Sequence, residues 1–409
     1  MLITFRASFK YALAASILTL VASAHAEDWR QFRGTDGSSL AAESKPPLKF
    51  SATENVAWKA SLPGHGVSGP IVVGDKVFVT ASSGAVTQNR LHVLCFDLAS
   101  GKQLWHRQFW ATGRCFHHPT SANAAPTPAS DGERIFAFYS SNDLICLDLE
   151  GNLLWYRGLA SDYPKAGNDV GMSASPLVVG NTVVVQIENQ GDSFAAGINS
   201  ATGETAWRID RPKDANWVSP VALKGSDGKE LVLLQSPDRL TAHVPATGNI
   251  IWEYKSACAG IPSATTADGR IYLPSNGLTV LEAPADKTSA TLAWESSRLS
   301  PGNSSPIIYK DKVYILTRAG VITCGDAKSG EVAWQLRLKG TFWSTPVLAG
   351  DHLFSVNQDG ECLVASINGE KGELVETNSL GESVLASPAV SGNALLIRSD
   401  KTLWKIAAP

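Results

Sequence analysis

Three side chains of metal-ligand type, Cys115, His117 and His118, crowd one short stretch of this chain. A zinc site would need a second cluster at ligand spacing, and none follows. Neighbouring histidines also tend to point apart, so the stretch reads as a loop and no metal is expected. Trp217 and Trp343 each stand three residues before a proline, Pro220 or Pro346. Near a channel mouth such indoles could stack on a flat ligand, a quinone or a sugar, or pack against neighbouring loops. No Gly-rich phosphate loop is present, and no Ser-His-Asp set can be placed from spacing alone. No catalytic residue is assigned.

The elements that must position these residues follow from a seven-residue step. Pro70, Pro128, Pro176, Pro306, Pro346 and Pro388 are each followed, seven positions on, by an aliphatic residue opening an apolar run. Ala264 to Ile271 repeats the step without the proline, and Pro220 to Leu231 repeats it with a four-residue insertion. Eight copies of one four-stranded unit follow, and a chain built that way is an all-β, eight-bladed propeller. Proline suits the start of each first strand, where a missing N–H is tolerated. Turns such as Gly74-Asp75, Gly180-Asn181 and Asp268-Gly269 supply the positive φ of tight hairpins.

Each fourth strand carries an indole. Trp105, Trp155, Trp207, Trp252 and Trp334 follow a glycine by four positions, and Trp58 and Trp294 hold the same place without it. The seventh unit has Glu376 there. The regularity marks these seven as structural docking residues between blades. Each would bury about 200 Å², roughly 5 kcal/mol gross. Residues 402–406 read as a third strand with nothing after it, and 55–59 (NVAWK) as an isolated fourth strand. Joining them closes the ring and removes two exposed edges.

The 409 residues are 44% apolar, with a net charge of −3. That excludes a basic field for nucleic acid. Residues 1–26 read as an export signal: Arg6 and Lys10, an apolar stretch at 11–22, and Ala24-His25-Ala26 at the cleavage point. Residues 27–53 form an N-terminal extension outside the blades, and 54–409 the propeller. No later segment reaches 18 apolar residues, so no transmembrane span is expected in the mature chain. It should be periplasmic or extracellular. The six cysteines are scattered, and Cys95, Cys146 and Cys324 take the same place in three units. Facing separate cores, they read as buried thiols rather than a disulfide framework.

Loop lengths point to one side of the ring. From docking Trp to the next first strand, most connections are short. The connections from Trp105 to Pro128 and from Trp155 to Pro176 are long. Long loops on a rigid scaffold often carry function. The first holds Trp110, Arg114, Cys115, His117 and His118, and the second Asp162, Tyr163, Lys165 and Asp169. With the stretches 88–90 and 188–192 they should raise a wall on blades 1–3 that binds a partner or ligand.

The pattern Asp-x-x-(Ser/Thr)-Gly-x-x-x-Trp, at 97–105 (DLASGKQLW) and 326–334 (DAKSGEVAW), resembles the tryptophan-docking repeat of pyrroloquinoline-quinone-type propellers. The opening 28–34 (DWRQFRG), with Pro63-Gly64-His65-Gly66, looks like the start of secreted quinone-propeller-like proteins of planctomycete type. The same repeat builds the BamB-type outer-membrane assembly factors, which are eight-bladed and non-catalytic. Quinone-dependent alcohol dehydrogenases of this superfamily carry a vicinal Cys-Cys pair, and some a Cys-x-x-Cys-His haem domain. Neither is present here. The calcium ligands of those enzymes, Glu, Asn and Asp, match no local motif. The resemblance therefore implies a monomeric, non-catalytic binding or scaffold propeller in envelope assembly, without a cofactor. Its partner would be an envelope protein or a small ligand on the loop face of blades 1–3. The alternatives are a quinone-dependent oxidoreductase using pyrroloquinoline quinone with calcium, and a ligand- or carbohydrate-sensing propeller outside the cytoplasm.

Overall fold

The computed structural model describes residues 28–408 except 168–169, 226–227 and 284–287. The export-signal reading and Asp169 lie outside the described residues. Eight four-stranded antiparallel blades stand in a ring, and in blades 1–6 the strands follow chain order from the channel outward. Blade 6 is typical: Ile307–Tyr309, Lys312–Leu316, Val321–Asp326 and Val332–Arg337. Its first turn, Lys310-Asp311, has φ of 49° and 57°, as a primed hairpin turn demands. Blade 8 is completed from the other end of the chain. Val56–Ser61 runs antiparallel to Thr402–Ile406, with Trp58 opposite Lys405 and Lys59 opposite Trp404. The eight-bladed reading and its closure by the leading segment both hold.

The blades interlock through one repeated contact. A Cβ added to Gly101 would lie 2.5 Å from the Trp58 ring. The same holds for Gly151 beneath Trp105 (2.6 Å), Gly203 beneath Trp155 (2.7 Å) and Gly330 beneath Trp294 (2.5 Å). Each indole thus lies on the glycine of the next blade, where no side chain fits. Its N–H then donates to a carbonyl of that blade, as from Trp58 to Leu98 (3.0 Å) and from Trp105 to Leu149 (2.9 Å). Behind three of the indoles stands a cysteine on the adjacent strand: Cys95, Cys146 and Cys324 face Trp105, Trp155 and Trp334. Burial pushes the Cys95 and Cys146 thiols up to about 12, so they are packing groups, not nucleophiles. All six cysteines are free.

The interlock accounts for the glycines of blades 1–4, 6 and 7, whereas blade 5 carries Ala290 at that place, packed against the cluster that holds Trp252 of blade 4. Blade 7 has lost its indole, and Glu376 stands opposite Val364 in the indole's register. It keeps Gly372, because Trp334 of blade 6 packs there. Blade 8 has Glu54 at the glycine's place, and no indole arrives from blade 7. The N-terminal segment fills that seam instead. Phe50 is buried in one cluster with Cys362 and Val364 of blade 7 and Trp404 of blade 8. The Asn378 amide accepts from Phe50 N–H (2.7 Å) and donates to the Leu48 carbonyl (2.8 Å).

The rest of the segment crosses the channel floor. Trp29 bridges Val72 of blade 1, and the Arg30 backbone carbonyl accepts from Ser130 N–H of blade 2. Arg33 reaches blade 5, donating to Thr265 Oγ1 (2.6 Å) and the Ala264 carbonyl (2.8 Å). Leu40–Ala41 pairs in parallel with Val347–Ala349, adding a fifth strand to blade 7.

Gly330→Ala should lower stability by about 1–3 kcal/mol, because the new methyl meets the Trp294 ring and φ is +73°. Glu54→Ala, at the same place where no indole arrives, should change it by less than about 0.5 kcal/mol. Equal effects in chemical denaturation would refute the interlock.

Candidate functional site

The residue before each first strand builds the inner wall of the channel. Gly69 N–H donates to Thr127 Oγ1 (2.9 Å), Thr127 N–H to Ser175 Oγ (3.0 Å), and Ser175 N–H to Ser219 Oγ (2.9 Å). Ser219 donates to Ser263 (3.1 Å), Ser263 to Ser305 (3.0 Å), Ser305 to Thr345 (3.1 Å), and Thr345 to Ser387 (3.0 Å). Seven hydroxyls thus link the eight blades in turn. In six of the seven a proline follows, holding the residue extended and offering no N–H of its own. The readable signal was a Ser or Thr before the repeating proline, which the hydrophobic pattern passed over.

These hydroxyls surround a cavity of about 360 Å³. Phe32 of the N-terminal segment lies among its lining residues, so the segment that crosses the channel also contributes to this cavity. Trp217, Trp343 and His118 line it as well. Both indole N–H groups are spent on anchoring: Trp217 donates to the Gly171 carbonyl (2.8 Å) and Trp343 to Gln358 Oε1 (3.0 Å). The Arg318 guanidinium lies 4.4 Å over the Trp343 ring. Among the described residues no Asp, Glu, Lys or Arg side chain lines the cavity.

The other singled-out residues lie on the loops of blades 1–3. The first loop leaves its strand at Thr112, whose N–H (3.1 Å) and hydroxyl (2.5 Å) donate to the buried Asp143 carboxylate. Ser141 (2.6 Å) and Tyr156 (2.6 Å) complete that carboxylate's partners. The loops are tied to one another, His118 N–H to the Val170 carbonyl (2.9 Å) and Asp192 N–H to that of Lys165 (3.0 Å). Trp110 is 52% exposed, with Arg90 4.6 Å over its ring, and Arg114 lies 5.5 Å over the exposed Phe116. His117 stacks on His65 at 6.2 Å. Asp162 pairs with Arg157, Tyr163 packs on Phe194 at 4.5 Å, and Lys165 is exposed. The structure therefore brings His118, Trp217 and Trp343 to one cavity, and distributes the others over the loops outside it.

Two buried networks escaped the sequence reading. Glu188 and Arg211 form a fully buried pair at 2.9 Å, completed by Asn216, Ser236 and Gln186. Ser83 Oγ lies 2.7 Å from His92 Nε2, and His92 Nδ1 lies 2.9 Å from His106 Nε2. That resembles a nucleophile-and-base pair. Burial first, then the charges of His106 and Arg90, push His92 down to about 4, leaving it a weak base at neutral pH. We read the trio as a cross-strand hydrogen-bond chain within blade 1.

A family model described as outer membrane protein assembly factor BamB matches residues 35–191, 89–264, 196–341, 283–375 and 318–408. The chain belongs to this family. A BamB from Moranella endobia is 23% identical over 349 residues, 81% of this chain and 82% of that protein. The crystal structure of BamB from Moraxella catarrhalis superposes with a TM-score of 0.63 at 17% identity, covering 86% of this chain and 97% of that one. A europium-containing methanol dehydrogenase superposes at 0.67 with 12% identity, covering 93% and 98%. These structural likenesses speak to the fold.

The quinone and calcium of the dehydrogenase branch do not fit the residues present. The described lining offers no carboxylate to the metal and no cation to the quinone's carboxylates. Glu188, buried just after the second strand of blade 3, does not line the cavity and is committed to Arg211. No group of three or more His, Cys, Asp or Glu among the described residues could hold a metal ion.

Pyrroloquinoline quinone with calcium should give no dye reduction with any primary alcohol, and turnover would overturn this assignment. A second outcome concerns pH. Below pH 6.5 the unfolded chain takes up a proton at His92 that the folded chain refuses until about pH 4. Stability from this group is full above that window and is lost as pH falls through it, on the order of 2 kcal/mol. His92→Gln should flatten that part of the acid-denaturation profile.

Proposed function

We propose that this chain is a non-catalytic docking propeller for outer-membrane protein assembly, exported after cleavage near Ala26 and working as a monomer. Envelope proteins would engage the wall on blades 1–3. The family match over most of the chain supports the assembly role. The observation that carries the docking face is the exposed pair of aromatics, Trp110 at 52% and Phe116 at 47%, each covered by an arginine. Tryptophan and arginine are the side chains over-represented where binding energy concentrates. Trp110 and Arg90 face each other on paired strands of blade 1, and Arg114 and Phe116 lie on the loop that follows, so little ordering entropy is lost on binding. No helix among the described residues is long and apolar enough to cross a membrane.

The test is recovery of envelope proteins by the immobilised chain. The Trp110→Ala/Phe116→Ala pair should weaken capture at least tenfold, equivalent to about 1.4 kcal/mol, at an unchanged thermal midpoint. Full capture by the double variant would place the docking face elsewhere.

A further inference from the structure

We propose that the channel cavity is a binding site for a neutral saccharide, independent of the docking face on the wall. The argument starts from the hydroxyl ring. Each ring hydroxyl accepts one N–H from the preceding blade. No ring hydroxyl donates to an acceptor among the described residues. Ser263, Ser305 and Thr345 are 2–3% exposed, and Thr127 and Ser175 are each 4%. Only water or a ligand inside the cavity can accept from these O–H groups. The ring therefore holds several donors whose natural acceptor must come from inside the cavity. The Asn303 amide nitrogen, on the same lining, is likewise buried without an acceptor.

The remaining lining narrows the ligand class. With no charged side chain to pair it, a carboxylate or ammonium would be buried at high cost. A wholly apolar ligand would leave the ring donors unpaired. A saccharide meets both demands: its hydroxyls accept from and donate to the ring, and its C–H face lies on an aromatic ring. Trp217 and Trp343 supply that ring from the blade 3–4 and blade 6–7 connections, with Ile261 and Leu385 adding apolar surface. A volume of about 360 Å³ lies within the range of small-molecule sites. The indoles are held in place by their own N–H bonds, which is the preorganisation a weakly hydrophobic ligand needs.

The experiment is calorimetric titration of the purified chain with glucose, N-acetylglucosamine and maltose, alongside glucuronate and glucosamine. At least one neutral sugar should bind saturably, at least tenfold tighter than either charged analogue. Trp343→Ala should weaken it at least tenfold, and Trp343→Phe, which keeps a stacking face, by less. Ser263→Ala should weaken it without moving Trp343. Absence of saturable binding by all three neutral sugars would overturn the proposal. So would equal binding of glucuronate, or unchanged affinity in both Trp343→Phe and Ser263→Ala. Capture of envelope proteins by the wall is read separately, so either assignment can fail alone.

Discussion

An aromatic ring laid on a glycine turns eight separate sheets into one body. A single four-stranded sheet cannot bury both of its faces, so each blade depends on its neighbours. At six seams the close approach demands a residue without Cβ, since a side chain there would come within 2.5–2.7 Å of the indole. At Gly101, Gly151, Gly203, Gly248 and Gly330 the φ is also positive, which glycine adopts at little cost. The polar edge of the indole adds direction, because its N–H finds a carbonyl on the blade it leans against. Where blade 7 lacks the indole, Phe50 and the Asn378 amide take over the seam. This seam is filled and hydrogen-bonded without a tryptophan, while at the blade 4–5 seam the Trp252 indole fills the volume with its N–H unpartnered among the described residues.

The hydroxyl ring performs the same task near the axis. Outer contacts set the spacing of the blades, and inner hydrogen bonds set their pitch around the channel. A proline after six of the seven ring hydroxyls removes one backbone N–H from the wall, and after Ser263 the N–H of Ala264 is taken up by Gln235. The geometry that holds the ring together thus also leaves a circle of unspent O–H groups. Structural economy and ligand chemistry meet in the same side chains.

Much of this was legible because the signals were local. The seven-residue step and the glycine four places before tryptophan lie within one unit, and both proved to describe real strands and turns. The partner of that glycine was not legible, because Trp58 and Gly101 lie in different blades. The hydroxyl ring was present as Ser or Thr before proline at Ser175, Ser219 and Thr345. A polar residue at a strand entrance, however, leaves no mark on a hydrophobic pattern. The path of the N-terminal segment depends on contacts such as Arg33 to Thr265 and Phe50 to Asn378. No periodicity encodes a pairing over so long a separation. His118 was singled out as a possible ligand residue and does line the cavity, whereas its neighbour His117 turns to His65.

Closure by Val56–Ser61 against Thr402–Ile406 reverses the usual order of assembly. Val56–Ser61 has no strand to pair with until Thr402–Ile406 has been made. Until then it is an unpaired β-strand bearing Trp58, whose indole N–H has its partner, the Leu98 carbonyl, on blade 1. Two nascent molecules held close together during that interval would present each other with the missing edge. Exchange of leading strands between them would yield a swapped dimer with every native bond intact.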